Sequence, residues 1–301
     1  MTIDSTADRL VDPTARAEIA VIGGSGLYEL IDPSGAVTHE VKTPYGTASV
    51  TIGLRAGRRV AFLPRHGGGH SVAPHLINYR ANIWALASIG VRAIISSSAV
   101  GGVTPEYTPG LLVVTDQFID RTAGRTDTFY DQQSVQHLSA ADPFDPLLRG
   151  YAISALTTLG ETFAPTGTVV VIQGPRFSTR AESIWFRSIG AHIVNMTAYP
   201  EIVLAGELNM GTVNLSFVTD ADAGLAPVLE VDGGASTSET DAVTASAVFR
   251  RLREAQPRIL AAIDGILRAL PTDFTPRALI DPAQVDVVLA RAVHSGSGDR
   301  S

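Results

Sequence analysis

The 301-residue chain contains no cysteine. That excludes disulfides, thiolate zinc sites and a thiol nucleophile, and it fits a reducing, cytoplasmic compartment. Basic residues are also short. With 23 Lys and Arg against 30 Asp and Glu, the formal charge is −7, so a general nucleic-acid-binding surface is not expected. An anionic small molecule could bind only where arginines or backbone amides gather locally. No apolar run is long enough to span a bilayer, so no membrane partner is expected. The opening MTIDSTADRLVDPTAR mixes charges and lacks the apolar stretch of a signal peptide. There is no internal repeat and no low-complexity tract. The remainder is ordinary for a globular protein: 45% hydrophobic and 18% charged.

Residues 1–16 read as a loose arm. Glu18 to Ile22 reads as a first strand, followed at once by Gly23-Gly24-Ser25-Gly26. A glycine-rich turn after a strand lets amides approach an anion, and Ser25 adds a hydroxyl. The dinucleotide fingerprint is not met, so a plain tight turn and a phosphate loop both stand. Val50 to Leu54 and Arg59 to Leu63 read as a hairpin turning at Ala56-Gly57. They lead into Pro64-Arg65-His66-Gly67-Gly68-Gly69-His70. The planar fork of Arg65 suits phosphate. Zinc held by His66 and His70 is disfavoured, because glycines between them oppose a helix presenting both rings.

Asn78 to Ile89 has helical spacing and is stopped by Gly90. Arg92 to Ile95 reads as a strand ending in Ser96-Ser97-Ser98-Ala99-Val100-Gly101-Gly102. It is the third strand to end in small polar or glycine residues, and three such ends meeting at one sheet edge make an anion pocket. Leu111 to Phe118 reads as a strand, and an irregular region containing His137 reaches about Pro146. A loop of that length in a compact domain serves function, an interface, or both. Leu147 to Leu159 reads as a helix.

The stretch from Val171 to Glu201 is the richest. A buried strand, Thr168 to Ile172, leads to Gly174-Pro175, to Phe177 at a loop tip, and to Thr179 and Glu182 at capping-box spacing. A helix through Trp185 and Phe186, a short strand at His192 to Val194, the turn Asn195-Met196-Thr197 and a helix opening at Pro200-Glu201 follow. Two loops therefore lie on one side of a parallel sheet, where ligands bind. Loop tips seldom carry a phenylalanine and a methionine unless something apolar covers them. Gly211 to Val218 reads as the next strand, ending Thr219-Asp220-Ala221-Asp222. Carboxylates two apart in extended backbone point the same way, so Asp220 and Asp222 are the acid candidates; an Asx turn is the structural alternative. Ala223 to Asp241 is rich in glycine, serine and acid. Ala242 to Leu270 reads as a long amphipathic helix with Val248, Leu252, Leu260, Ile263 and Leu267 inward. Residues 271–301 read as a partly disordered C-terminal extension.

Taken together, GGSG at 23–26, LPRHGGGH at 63–70, NYRANIWAL at 78–86, SAVGG at 98–102, DQFIDRT at 116–122, GPRFSTRAE at 174–182, NMTAYPE at 195–201 and TDAD at 219–222 resemble the trimeric purine nucleoside phosphorylases. The resemblance runs from about Ile19 to Leu270 and is strongest to the methylthioadenosine-cleaving branch. It implies one α/β domain over residues 17–270, a single mixed central sheet surrounded by helices, and a homotrimer. It implies a pentosyltransferase: phosphate displaces adenine from 5′-deoxy-5′-(methylthio)adenosine, giving adenine and 5-methylthioribose 1-phosphate. Inorganic phosphate is then the co-substrate, with no other cofactor and no metal. By motif match, Ser25, Arg65, His66, Ser98, Ala99 and Thr197 hold phosphate. Met196 lies along the ribose, Phe177 stacks on the base, and Asp220 and Asp222 face the purine edge. His137 closes the 5′ end from the neighbouring subunit.

The segment 223–241 is longer than in the family. Ala245, Val248 and Phe249 stand where helix residues line the 5′ pocket, which leaves 5′-halogenated 5′-deoxyadenosines as an alternative to the methylthio compound. A 6-oxopurine nucleoside phosphorylase is opposed by the Asp220/Asp222 pair. A hydrolytic nucleosidase is opposed by Arg65 and His66. A non-catalytic binding protein on the same scaffold would tolerate loss of Asp220 or Arg65, and both are present.

Overall fold

The computed structural model describes residues 15–24, 27, 30–31, 33–132, 134–225 and 245–293. The described residues form a single mixed sheet of eleven strands with helices on both faces, the architecture the resemblance implies.

The first strand, β1 (Ile19–Gly23), shows how the sheet acquires two cores. Side chains alternate across a strand. Ile19 and Val21 enter one apolar cluster, and Ala20 and Ile22 enter the other. A meander follows: β2 (Val37–Thr43), β3 (Gly46–Arg55) and β4 (Arg58–Pro64). Its β3–β4 hairpin turns at Ala56 and Gly57, both with positive φ, as a two-residue type I′ turn requires. The strand β2 carried no clear sequence signal, because its residues are mostly exposed.

Helix α1 (Tyr79–Ser88) is capped by Asn78, whose side chain accepts from the Ala81 amide at 3.1 Å. Trp84 lies within the core, 4% exposed. The central strand β5 (Ala93–Gly102) runs seven residues past its expected end at Ile95. It is held out to Gly102 by β11 (Gly211–Ala221), paired in parallel along its whole length. Gly102 permits this, since a Cβ there would stand 2.0 Å from the Tyr107 carbonyl oxygen.

The expected strand from Leu111 to Phe118 is two strands, β6 (Leu112–Thr115) and β7 (Gln117–Arg121). The chain changes partners at Asp116: β6 pairs antiparallel with β11, whereas β7 pairs parallel with β9 (Thr168–Ile172). From 122 to 145 the described residues form neither helix nor strand. Helix α2 (Pro146–Thr158), the two-residue strand β8 (Phe163–Ala164), helix α3 (Arg180–Ser188), β10 (Ile193–Asn195) and α4 (Ala198–Glu207) complete the middle of the chain. The capping box on α3 is formed: Thr179 Oγ1 accepts from the Glu182 amide, and Glu182 accepts from the Thr179 amide.

Helix α5 (Ala245–Ala269) buries Leu252, Ala255, Ile259, Ala262, Ile263, Ile266 and Leu267 at three- and four-residue intervals. Val248 and Leu260, expected inward, are only partly buried. The segment after Pro271, read from sequence as an extension, carries α6 (Pro282–Leu289). It packs on α1, with Val285 and Val288 buried and Trp84 Nε1 donating to the Val288 carbonyl at 3.1 Å. The expectations for residues 1–14, 226–244 and 295–301 lie outside the described residues.

One topological detail positions the site. Along one edge β5 pairs with β1 only from Ala93 to Ser96, and with β10 only at Gly101 and Gly102. Between them, Ser97 to Val100 face a fork where β1 has ended and β10 has not begun. Such switch points are where open α/β sheets bind ligands.

Candidate active site

A cavity of about 310 Å³ opens at this fork, at the small end of the range for ligand pockets. It is lined by every sequence-predicted site residue except Ser25 and His137. Ser25 lies outside the described residues, though its neighbour Gly24 lines the cavity. His137 is exposed and contributes nothing to the cavity within its own chain.

One end is built from cationic and hydroxyl groups. The loop after β4 brings in Arg65, 3% exposed. Its Nε and Nη2 donate to the two carboxylate oxygens of Glu201, at 2.6 and 2.8 Å, and Nη1 donates to the Ser97 carbonyl at 3.0 Å. A guanidinium has five N–H groups, so two remain beyond these bonds. Burial alone would lower the pKa of Arg65, but the Glu201 carboxylate raises it, and the group stays charged. His66 is pushed down to about 4, first by burial and then by the Arg65 cation. Its Nδ1 lies 2.9 Å from the Val72 carbonyl oxygen. A carbonyl only accepts, so Nδ1 carries the proton and the neutral ring presents a lone pair at Nε2. Ser98, Ala99 and Thr197 close this end.

The other end is acidic. In β11 the register shifts between Val218 and Asp220, leaving Thr219 out of the pairing with β5. The Asp222 amide donates to the Gly102 carbonyl at 2.8 Å. Both carboxylates flank Gly101: a Cβ there would stand 3.2 Å from Asp220 Oδ2 and 3.5 Å from Asp222 Cβ. Burial pushes Asp220 up to about 6, with the neighbouring Asp222 adding to the effect, while the Thr219 hydroxyl at 2.6 Å opposes it. Burial also raises Asp222, while hydrogen bonds from the Ser183 hydroxyl, the Ala223 amide and the Ser178 hydroxyl oppose the shift. At the cavity wall this carboxylate can accept from a ligand's N–H.

The side walls are the two loops anticipated from the sequence. Phe177, 41% exposed, stands at the tip of the loop after β9. Met196 presses against the base of that loop, since a Cβ on Gly174 would meet its sulfur at 2.6 Å. Arg125 joins both walls: Nη2 donates to the Gln173 and Met196 carbonyls, each at 3.0 Å, and Nη1 to the Tyr199 carbonyl. Sequence reading missed Arg125, which lies in the irregular region with no local signal. It also took Glu201 only as a helix-starting residue. Pro74, Ala245, Val248 and Phe249 form a mostly apolar corner, where the His70 ring lies tilted 40° against His66 at 4.2 Å and meets Phe249 edge-on at 5.2 Å. Among the described residues no group of three or more His, Asp or Glu side chains is placed to hold a metal ion.

The profile of the Phosphorylase superfamily matches residues 18–256. A purine nucleoside phosphorylase of Streptomyces coelicolor is 50% identical over 221 residues, covering 69% of this chain and 78% of that protein. An S-methyl-5′-thioadenosine phosphorylase of Thermofilum pendens is 51% identical over 209 residues, covering 69% and 80%. Among solved structures, a methylthioadenosine phosphorylase from an antarctic soil metagenomic library superposes with a TM-score of 0.78 at 34% identity, over 90% of this chain and 95% of that one.

Proposed function

The chain belongs to the phosphorylase superfamily, and from that premise we propose that it cleaves 5′-deoxy-5′-(methylthio)adenosine with inorganic phosphate. The products are adenine and 5-methylthioribose 1-phosphate. The observation that carries this reading is one cavity with Arg65 and Ser98 at one end and the raised carboxyl of Asp220 at the other.

The chemistry needs both ends. Cleaving a glycosidic bond passes through an oxocarbenium-like sugar. Phosphate clamped by Ser25, Arg65, Ser98, Ala99 and Thr197, with His66 Nε2 accepting from its P–OH, places negative charge beneath that sugar and supplies the nucleophile. As the phosphate oxygen bonds to C1′, the C1′–N9 bond breaks and its electron pair passes into the purine. Asp220, protonated in part near neutrality, donates its proton to the departing base. Holding both reactants in line converts an encounter into a unimolecular step. Met196 and Phe177 carry the sugar and base. No cofactor enters the scheme.

Asp222 sets the base. An ionised carboxylate only accepts hydrogen bonds, which suits the exocyclic amino group of adenine and opposes the carbonyl of a 6-oxopurine. The apolar corner of Pro74, Val248 and Phe249 suits a 5′-methylthio group, and a 5′-halogen would also fit it. His137, exposed on its own subunit, would close this corner in a cytoplasmic homotrimer by reaching into the neighbouring site.

Adenine release from methylthioadenosine, 5′-chloro-5′-deoxyadenosine, adenosine and inosine, each with and without phosphate, tests the reading. Phosphate-dependent release fastest with the methylthio compound is the expected result. Release without phosphate would make the protein a hydrolase, and preference for inosine would overturn the base assignment.

A further inference from the structure

Beneath the anion end of the cavity lies a buried polar layer, of which the chemistry above uses only Ser98. Asn214 in β11 is the register partner of Ser96 in β5. Its Nδ2 donates to Ser96 Oγ at 2.8 Å and to Ser98 Oγ at 3.1 Å. Its Oδ1 accepts from Ser216 at 2.7 Å and from Thr115 at 3.3 Å, and those two hydroxyls lie 3.0 Å apart. Asn214 is 2% exposed, and none of the other four exceeds 4%. Five polar side chains fill sheet positions where Val or Ile would bury more cheaply, and burying them is tolerable only because each finds a partner.

The donor directions around Ser96 and Ser98 follow from the Val213 carbonyl. Ser96 donates its single proton to the Val213 carbonyl at 3.3 Å. A carbonyl cannot donate, so the Ser96 oxygen is left to accept, and the amide must turn its NH₂ toward Ser96. The same NH₂ then donates to Ser98. The Ser98 oxygen is engaged as an acceptor, and its own proton reaches no acceptor among the described residues. Ser98 lines the cavity, so that proton is available to an anion lying there.

We propose that Asn214 is a positioning residue that fixes Ser98 as a hydrogen-bond donor to phosphate and so tunes phosphate affinity without touching phosphate. A serine hydroxyl with no such neighbour can rotate and present lone pairs to an anion; the buried amide removes that option. The inference rests on the reading of the cavity as a phosphate site.

The test is steady-state kinetics with phosphate and nucleoside varied separately, on the wild type, Ser98→Ala, Asn214→Ala and the double variant. Losing a hydrogen bond to a charged ligand raises KM by roughly tenfold or more. Ser98→Ala and Asn214→Ala should each raise the phosphate KM to about that extent and leave the nucleoside KM within about twofold. In the Ser98→Ala background Asn214→Ala should add little, since residues acting through one contact are not additive. Should Asn214→Ala not fold, Asn214→Asp keeps the volume but replaces the NH₂ that faces Ser96 and Ser98 with an acceptor oxygen. It draws the Ser98 proton inward, and its effect should shrink once Ser98 is alanine. A merely structural role predicts both KM values rising together, with the full effect persisting without the Ser98 hydroxyl, and that outcome overturns the proposal. An unchanged phosphate KM in Ser98→Ala also overturns it, while leaving phosphorolysis intact. Phosphate-independent base release by the wild type would instead sink the reading beneath it.

Discussion

Both carboxylate oxygens of Glu201 grip the Arg65 guanidinium, at 2.6 and 2.8 Å, with the two side chains 1% and 6% exposed. The pair is 136 residues apart in sequence, so it staples α4 to the loop after β4. It also cancels charge: phosphate meets an arginine that is oriented and half-spent, not a free cation. Removing one partner of a buried pair leaves an unpaired charge, a loss of about 3–5 kcal/mol. Glu201→Ala should therefore lower the unfolding free energy by that order in urea melts. Glu201→Gln keeps the shape but frees Arg65 to turn, so it should raise the phosphate KM more than the nucleoside KM. An alanine variant as stable as the wild type would show that the pair is not structural.

Asp220 gives the reaction a pH limb. Burial raises its carboxyl to about 6, so the proton-bearing form declines as pH rises through that value. The nucleoside kcat/KM should fall above about pH 6, and Asp220→Asn, which cannot ionise, should be much slower and lack the limb. Linkage has the same sign for stability. The folded state binds this proton more tightly than the unfolded state, so the contribution favours folding at low pH and is lost as pH rises from about 4 to about 6. A wild-type profile flat from pH 5 to 8, with phosphate saturating, would contradict the acid role.

How legible the site was follows from the range of each interaction. The Thr179–Glu182 capping box, the Ala56-Gly57 turn and the limits of β9 are local, set by residues within a few positions of one another, and the structure reproduces them. The two-apart carboxylates were equally plain, although the register shift at Thr219 that sets them around Gly101 was not. What stayed hidden depends on distant partners. The strand β5 outruns its own apolar pattern because β11 pairs with it to Gly102. Asn214 reads as an irregularity in an apolar strand until Ser96 and Ser98 are brought beside it. Helix α6 is too short for a periodic signal and is held by burial against α1.

Arg125 is the joint between the two walls of the nucleoside site. Its Nη2 reaches the Gln173 and Met196 carbonyls, and its Nε lies 3.2 Å from Gln173 Oε1. A lysine keeps the charge but has no planar fork with which to span these acceptors. Arg125→Lys should let the Phe177 and Met196 loops separate, raising the nucleoside KM by roughly tenfold with a smaller effect on the phosphate KM. Equal rises in both constants would mean that the substitution damages the fold generally and that the clamp is not specific to the nucleoside walls.

Asp222 offers the sharpest test of substrate choice, because a one-atom change in its side chain alters its hydrogen-bonding capacity. Its carboxylate lines the cavity and, when ionised, only accepts hydrogen bonds. An adenine N–H satisfies it. The carbonyl of hypoxanthine would set oxygen against oxygen with no proton between, and sites that leave a buried polar group unpaired discriminate by several powers of ten. Asn replaces one of the two oxygens with an NH₂ donor. Asp222→Asn should therefore weaken turnover of adenine nucleosides and bring inosine cleavage up from the background, with the phosphate KM little altered. The ratio of inosine to adenosine kcat/KM reports this directly, and it should rise by at least about a hundredfold. If adenosine turnover is unaltered and inosine cleavage remains undetectable, Asp222 does not read the 6-position, and the selectivity must come from elsewhere in the base pocket.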